Sequence, residues 1–260
     1  MTDSRPSPRV LVAGCPIDAL TFDETLAEIE RLIGVRQPVQ HCVVNASKAV
    51  MMRDVKELLR IVSSCALVNA DGQSVVWAAR LLGHAVPERV AGIDLFEALL
   101  ALSETRRYPV YFLGASPGVL AAAVARALRE HPTLEVSGAQ DGFWPAKRSA
   151  EVVANIRAAR PAILFVAMPS PRKEYWLAEN LDALGVPFSM GVGGSFDVYA
   201  GAIRRAPVWM QSTGLEWAYR FIQEPRRMWR RYLLGNLAFA QLVFEEWRAN
   251  RRGPVEGGIL

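Results

Sequence analysis

The chain has 260 residues, 51% of them apolar, which suits one large domain or a domain with an appendage and excludes disorder outside the ends. Thirty basic and 26 acidic residues leave a net charge of +4, but from Arg204 onward ten arginines stand against five acidic residues, Glu216, Glu224, Glu245, Glu246 and Glu256. Three scattered histidines and three cysteines without CxxC spacing support neither a zinc site nor a disulfide framework, which fits a reducing cytoplasm.

Residues 1–9 are polar and rich in proline and serine, without the apolar centre of a signal peptide. Short β-rich runs then alternate with helical patterns. Strands are predicted at 10–13, 41–44, 66–68, 110–113, 134–136, 163–167 and 188–192. Helices are predicted near 22–33, 48–63, 74–82, 95–105, 117–130, 149–159 and 173–184. Cys15, Cys42 and Cys65 sit in or beside the strand-like runs, as small buried thiols do. The alternation predicts an α/β fold, a Rossmann-like, mainly parallel sheet flanked by helices. After Gly201 the pattern becomes helical only, with stretches at 208–223 and 226–248 punctuated by Pro207 and Pro225. No window reaches the roughly 18 apolar residues of a spanning helix. The nearest, 232–244, is short and interrupted by Gly235, Asn236 and Gln241. The expected division is a core over 1–201, a basic amphipathic helical appendage over 202–252 that docks on a membrane, and a flexible tail over 253–260.

Ligands of such folds gather at the loops that follow the strands. Asp71, in Asn69-Ala70-Asp71-Gly72, stands at a strand end before a helix. It reads either as a cap or turn residue or as a carboxylate able to take a proton from a sugar hydroxyl. The turn Gly191-Val192-Gly193-Gly194-Ser195-Phe196-Asp197 and the similar Gly114-Ala115-Ser116-Pro117-Gly118 could admit a phosphate to their backbone or be plain turns. Neither has the spacing of a dinucleotide or Walker loop. Arg172 and Lys173 begin a helix, where cations are unfavourable unless an anion or solvent compensates them. In the last part, Arg204, Arg205, Arg220, Arg226, Arg227, Arg230 and Arg231 interleave with Trp209, Trp217, Tyr219, Phe221, Trp229 and Tyr232. That mixture suits an anionic membrane surface, single-stranded nucleic acid, or a core helix with a basic face.

Taken together, the motifs resemble the WecG/TagA/CpsF family, glycosyltransferase family 26, from about Ile17 to Phe239. The resemblance rests on Asn69-Ala70-Asp71-Gly72, Arg89-Val90-Ala91-Gly92-Ile93-Asp94, Gly191 to Asp197, Arg205-Ala206-Pro207, Gly214-Leu215-Glu216-Trp217 and Glu224-Pro225. It implies extension of an undecaprenyl-diphosphate-linked saccharide from a UDP-sugar, with inversion, in bacterial surface polysaccharide synthesis at the inner face of the cell membrane. It also implies Asp71 as base, Asn45 in the pocket, and the Gly193–Gly194 turn at the diphosphate. Gly72, Arg89, Asp94, Gly114, Lys173, Glu174, Asp197 and the appendage arginines Arg220, Arg227 and Arg230 complete the expected substrate-binding set. Two positions depart from the family's commoner pattern. Val43-Val44-Asn45 replaces Thr-x-Asn, and Lys173-Glu174 replaces Gln-Glu. A lost hydroxyl and a gained cation change which sugar groups can be satisfied, so the donor is expected to differ from the UDP-N-acetylmannosamine used by some members. An N-acetylmannosamine-type sugar, glucose and a uronic acid are the choices considered, and Lys173 would face a phosphate or a uronic-acid carboxylate. Without a convincing DxD loop, the chemistry is expected to need no metal or other cofactor, with arginine supporting the departing UDP. Nucleic acid is not an expected partner, and a homo-oligomer is possible. A dehydrogenase would need the missing G-x-G-x-x-G spacing. The alternative reading, a non-catalytic membrane- or nucleic-acid-binding module, leaves Asp71 and the glycine turn without a purpose.

Overall fold

The structure is a computed structural model and describes residues 9–212, 214–223, 225 and 235–251, with the backbone alone at 212 and 220. At its start β1 (Arg9–Val12) and β2 (Cys15–Asp18) form an antiparallel hairpin, turned by Ala13 and Gly14 at φ of 51° and 72°. Only the first of these strands is legible in the sequence. Pro16 interrupts the second, and all four of its residues are buried, so no alternation marks it.

The main sheet contains β3 (Val39–Val44), β4 (Leu67–Ala70), β5 (Val110–Gly114), β6 (Val136–Gln140), β7 (Ile163–Ala167) and β8 (Phe188–Gly191). Their order is β4-β3-β8-β7-β5-β6, and every neighbouring pair is parallel. β4, β5, β7 and β8 are buried at every position, as strands covered on both faces must be. β6 begins later than the expected 134–136, and its Ser-Gly-Ala-Gln sequence carries little strand signal. Gly138 pairs with Tyr111, whose ring would lie 2.4 Å from a Cβ at that position. The absent side chain is what lets the tyrosine fold over the edge strand.

One face is covered by α1 (Phe22–Val35), α5 (Gly92–Arg106), α6 (Pro117–Glu130) and the short α9 (Ser195–Tyr199). Its centre is aromatic. Phe112 and Phe165 pair in register, and Phe96 meets Phe165 and Tyr199 edge-on at 4.8 and 5.2 Å between ring centroids. The other face is covered by α2 (Ala46–Asp54), α3 (Lys56–Ser64), α7 (Ser149–Ala159) and α8 (Arg172–Leu184). The single helix expected over 48–63 divides at Val55, which is extended (φ −119°, ψ 90°). The break lets α3 turn Leu58, Ile61 and Val62 inward while α2 buries Ala49 and Met52. α4 (Gln73–Leu81) packs against the hairpin beside β4.

Among the described residues the helical C-terminal part holds α10 (Val208–Ser212), α11 (Glu216–Gln223) and α12 (Gly235–Arg251). The expected helix over 208–223 is interrupted at Gly214, whose φ is +74°. α12 returns to the core, burying Phe239 and Val243 in the cluster that holds Ala46, Ala49 and Met52 of α2. Among the described residues no helix is long and apolar enough to cross a membrane. The expected tail, 253–260, lies outside the described residues.

Candidate active site

The connection leaving β3 runs to the β4 edge, whereas β8 is reached from the β7 side, so the direction of winding reverses between β3 and β8. Crevices at the carboxyl ends of strands form at such reversals. The register Val44↔Ala70 places Asn45 and Asp71 side by side just past the strands. The Asp71 N–H continues the ladder to the Val44 carbonyl (2.9 Å). Its Oδ1 accepts the N–H of Gly92, the first residue of α5, at 2.9 Å, and the side chain is half-buried. Asp71 therefore does not cap α4. The cap there is Gly72, which has no side chain to offer. Gly72 is also the close contact with Asn45, because a Cβ would stand 3.3 Å from that of Asn45. Asn45 caps α2 by accepting the Lys48 N–H at 3.1 Å. Val43 lies beside this group, 3.7 Å from where a Gly92 Cβ would be.

Arg89, whose charge Asp71 helps to hold, and Asp94 both reach the C-terminal part of the chain. Arg89 Nη1 donates to Glu216 Oε2 at 2.8 Å, and its Nη2 stands 3.9 Å from Asp94 Oδ2. Arg205 pairs with Asp94 and lies 3.7 Å from Glu216 Oε1. Burial opposes the charge on Arg89, yet the carboxylates of Glu216, Asp71 and Asp94 raise its pKa above the ordinary value. Three stretches far apart in sequence, at 89–94, 205–207 and 214–217, thus meet in one ionic network. Gly214 seals the join, since a Cβ there would be 2.7 Å from Gln73 Cγ.

The glycine turn follows β8. The N–H groups of Val192 and Gly193 both donate to the Val166 carbonyl, at 3.0 and 3.3 Å, and Ser195 N–H donates to Val192. Of these four consecutive amides only that of Gly194 has no such partner among the described residues. Gly193 has φ +55°, and Asp197 is half-buried on α9. Gly114, at the end of β5, has φ +111°, and a Cβ would meet the Ala167 carbonyl oxygen at 2.4 Å. Only glycine fits there.

Beneath the glycine turn lies a buried charge cluster. The Lys173 stem runs under Gly191, where a Cβ would be 2.7 Å from Cε, and its Nζ would be 3.8 Å from a Cβ on Gly193. Nζ donates to Ser170 Oγ and lies 3.0 Å from Glu174 Oε1. The same carboxylate oxygen accepts from Lys48 Nζ at 2.6 Å and Ser170 Oγ at 2.9 Å. Burial works against the Glu174 charge, but Lys48 and Lys173 overcome it and hold the carboxyl at about 2. Burial and the neighbouring Lys48 charge lower Lys173 to about 8. Arg172, by contrast, faces the Trp144 ring at 5.8 Å. Under β3 and β4 a second buried chain runs from His41 Nε2 to Asn69 Oδ1 (2.9 Å) and from Asn69 Nδ2 to Thr25 Oγ1 (3.0 Å). Burial pushes His41 down to about 4, so it is neutral.

Arg227 and Arg230 lie outside the described residues, as does the side chain of Arg220, whose backbone is in α11. Among the described residues no group of three or more His, Cys, Asp or Glu is placed to hold a metal ion. Lys48, Ser170, Arg205 and Glu216 were not singled out as site residues by sequence reasoning. Arg205 and Glu216 lie inside recognised motifs and Ser170 lies between the two prolines of the loop before Arg172 and Lys173, but nothing local marks Lys48.

The glycosyl transferase WecG/TagA/CpsF family model matches residues 10–253. The chain belongs to this family. A curated Bacillus spizizenii protein, N-acetylglucosaminyldiphosphoundecaprenol N-acetyl-beta-D-mannosaminyltransferase, is 36% identical over 199 residues, 76% of each chain. As a WecG/TagA/CpsF member the protein is a glycosyltransferase, and the match spans both the sheet and the helical C-terminal part. The ionic network through Glu216 accordingly joins two parts of a single family unit.

Proposed function

We propose that this glycosyltransferase moves a hexosyl group from a UDP-sugar to an undecaprenyl-diphosphate-linked saccharide, in one inverting displacement with Asp71 as general base. The observation that carries this reading is the Asp71 carboxylate. It is half-buried at a strand end, held by one oxygen on the Gly92 N–H, beside Asn45 by strand register and close enough to Arg89 to stabilise the guanidinium charge. A carboxylate so anchored keeps lone pairs to accept the proton of an acceptor hydroxyl as its oxygen attacks the anomeric carbon. The lipid-linked acceptor is supported by the name of the Bacillus spizizenii relative. The departing UDP diphosphate would meet the Gly194 amide and cations of the C-terminal part, a form of preorganised charge stabilisation. Asn45, Gly72, Asp94, Gly114, Lys173, Glu174 and Asp197 would shape the donor pocket, and Arg220, Arg227 and Arg230 are the arginines proposed to reach toward it.

The C-terminal part, 202–252, is proposed to hold the enzyme on the cytoplasmic membrane face. Trp209, Ile222, Leu237 and Phe244 are exposed there, and Arg248 and Arg251 lie over the Phe244 and Trp247 rings. Apolar and cationic groups so mixed suit an anionic bilayer surface. Val43 and Lys173 favour a donor other than UDP-N-acetylmannosamine. The test is UDP release over a panel of UDP-sugars with a synthetic lipid-diphosphate saccharide. Release with a different donor is expected. UDP-N-acetylmannosamine as best donor refutes the donor assignment, and no release with any lipid-linked acceptor refutes the function.

A further inference from the structure

The lysines and the carboxylate under the glycine turn do not balance in charge. Lys48, Lys173 and Glu174 are each less than a tenth exposed, and they contribute two positive charges and one negative. An uncompensated charge in so dry a place is costly. One further ionisable group is in direct contact. Cys42 Sγ, on β3 and itself buried, accepts from Lys48 Nζ at 3.2 Å. At the end of α3 the buried Cys65 thiol is a neighbour that bears on its charge, and Cys65 Sγ donates to the Ile61 carbonyl at 3.4 Å.

We propose that Cys42 is held as a thiolate and serves as the counter-ion that fixes Lys48, Glu174 and Lys173 beneath the Gly191–Gly194 turn. The charge sum then closes at zero. Cys42 is a positioning residue in this arrangement. It acts on Lys48, which shares Glu174 with Lys173, and the Lys173 stem supports Gly191. The neighbouring Cys65 thiol, opposed by burial and aided by the Lys48 charge, brings Cys42 down to about 6. Cys15 shows the contrast, because burial, with Glu246 adding to it, pushes its thiol up to about 12. The charged groups that bear on the Cys42–Cys65 pair are Lys48 of α2, Lys173 and Glu174 of α8, and Arg9 of β1. Electron-rich sulfur beside an ammonium is the arrangement that lowers thiol pKa values elsewhere. The inference does not depend on Asp71 being the base.

The test is the ultraviolet thiolate absorbance of the full-length protein, titrated with acid. One thiolate lost with a midpoint near 6 is expected in the wild type and not in Cys42→Ser. Lys48→Met and Cys65→Ser, which keep Cys42 but remove a partner, should each move that midpoint upward. If Cys42→Ser does not fold, these two variants decide the matter, and an unmoved midpoint overturns the proposal. A wild type without a thiolate step also overturns it. In UDP-release assays the donor KM should rise as pH falls through the same midpoint, with no such step in Cys42→Ser. A KM profile shared by both proteins is contrary to a positioning role.

Discussion

Asp71 is tied by one oxygen to the first amide of α5, so its orientation comes from backbone and not from another side chain. Asparagine at this position still offers an oxygen to Gly92 but cannot take a proton. Asp71→Asn should therefore keep the wild-type melting temperature while UDP release falls by roughly 10²–10⁴-fold. Near-normal turnover would remove Asp71 from the mechanism. Glu174 is the opposite kind of carboxylate, buried and structural. Its folded pKa is depressed to about 2, so its stabilising contribution is present above the unfolded value of about 4.3 and is lost as pH falls toward 2. Glu174→Gln leaves two ammonium groups without their carboxylate, with an expected loss of about 3–5 kcal/mol. Denaturant titrations across this acid range should show a smaller pH dependence in the variant. Gly114→Ala places a methyl against the Ala167 carbonyl at a φ of +111°. A loss of at least ~1–3 kcal/mol should appear as a lower midpoint of thermal unfolding.

At the scale of elements, strands buried on both faces declare themselves in sequence. Val110 to Leu113 and Ile163 to Ala167 were legible because parallel sheets demand such runs. The second hairpin strand, with Pro16, and β6, with its small residues and Gly138, were not, because packing against a neighbour decides them. The same division runs through the candidate site. Asp71 and the glycine turn stand out locally, at strand ends. Pairings such as Lys48 with Glu174 and Arg89 with Glu216 join residues 126 and 127 positions apart, and no local pattern announces them. The latter pair gives α11 its attachment beside Asp71. Glu216→Gln should weaken that attachment. Faster proteolysis between α10 and α12, with an unchanged melting temperature for the sheet, is the expected result. Because Arg89 and Glu216 are only partly buried, added salt should reproduce part of the effect in the wild type.

For the whole molecule, the division between core and appendage is less sharp than the change of pattern after Gly201 suggests. α12 exposes Phe244 and carries its two arginines in its last turn, yet Phe239 and Val243 are shared with α2, the helix that Asn45 caps. Removing everything after Gly201 should thus lower both liposome binding and the stability of the remaining sheet. Phe239→Ala separates the two effects. It should cost about 3–5 kcal/mol while leaving Arg248 and Arg251 available to lipid. Binding that survives this substitution, measured by vesicle sedimentation, assigns membrane contact to the surface of the helix and not to its buried side.

The return of α12 has a topological consequence. The stretch between Gly201 and Gly235 is fastened at both ends, by the sheet before it and by α2 after it. It is pinned within as well, by Arg205 to Asp94 and Glu216 to Arg89, so it is a strap and not a free arm, and lengthening it between these anchors is a matter of loop closure. Doubling such a loop costs only about 0.6 kcal/mol, whereas cutting it once releases both ends. The same enzyme should accept an inserted flexible linker in the strap with little change in folding, yet lose function on a single nick there.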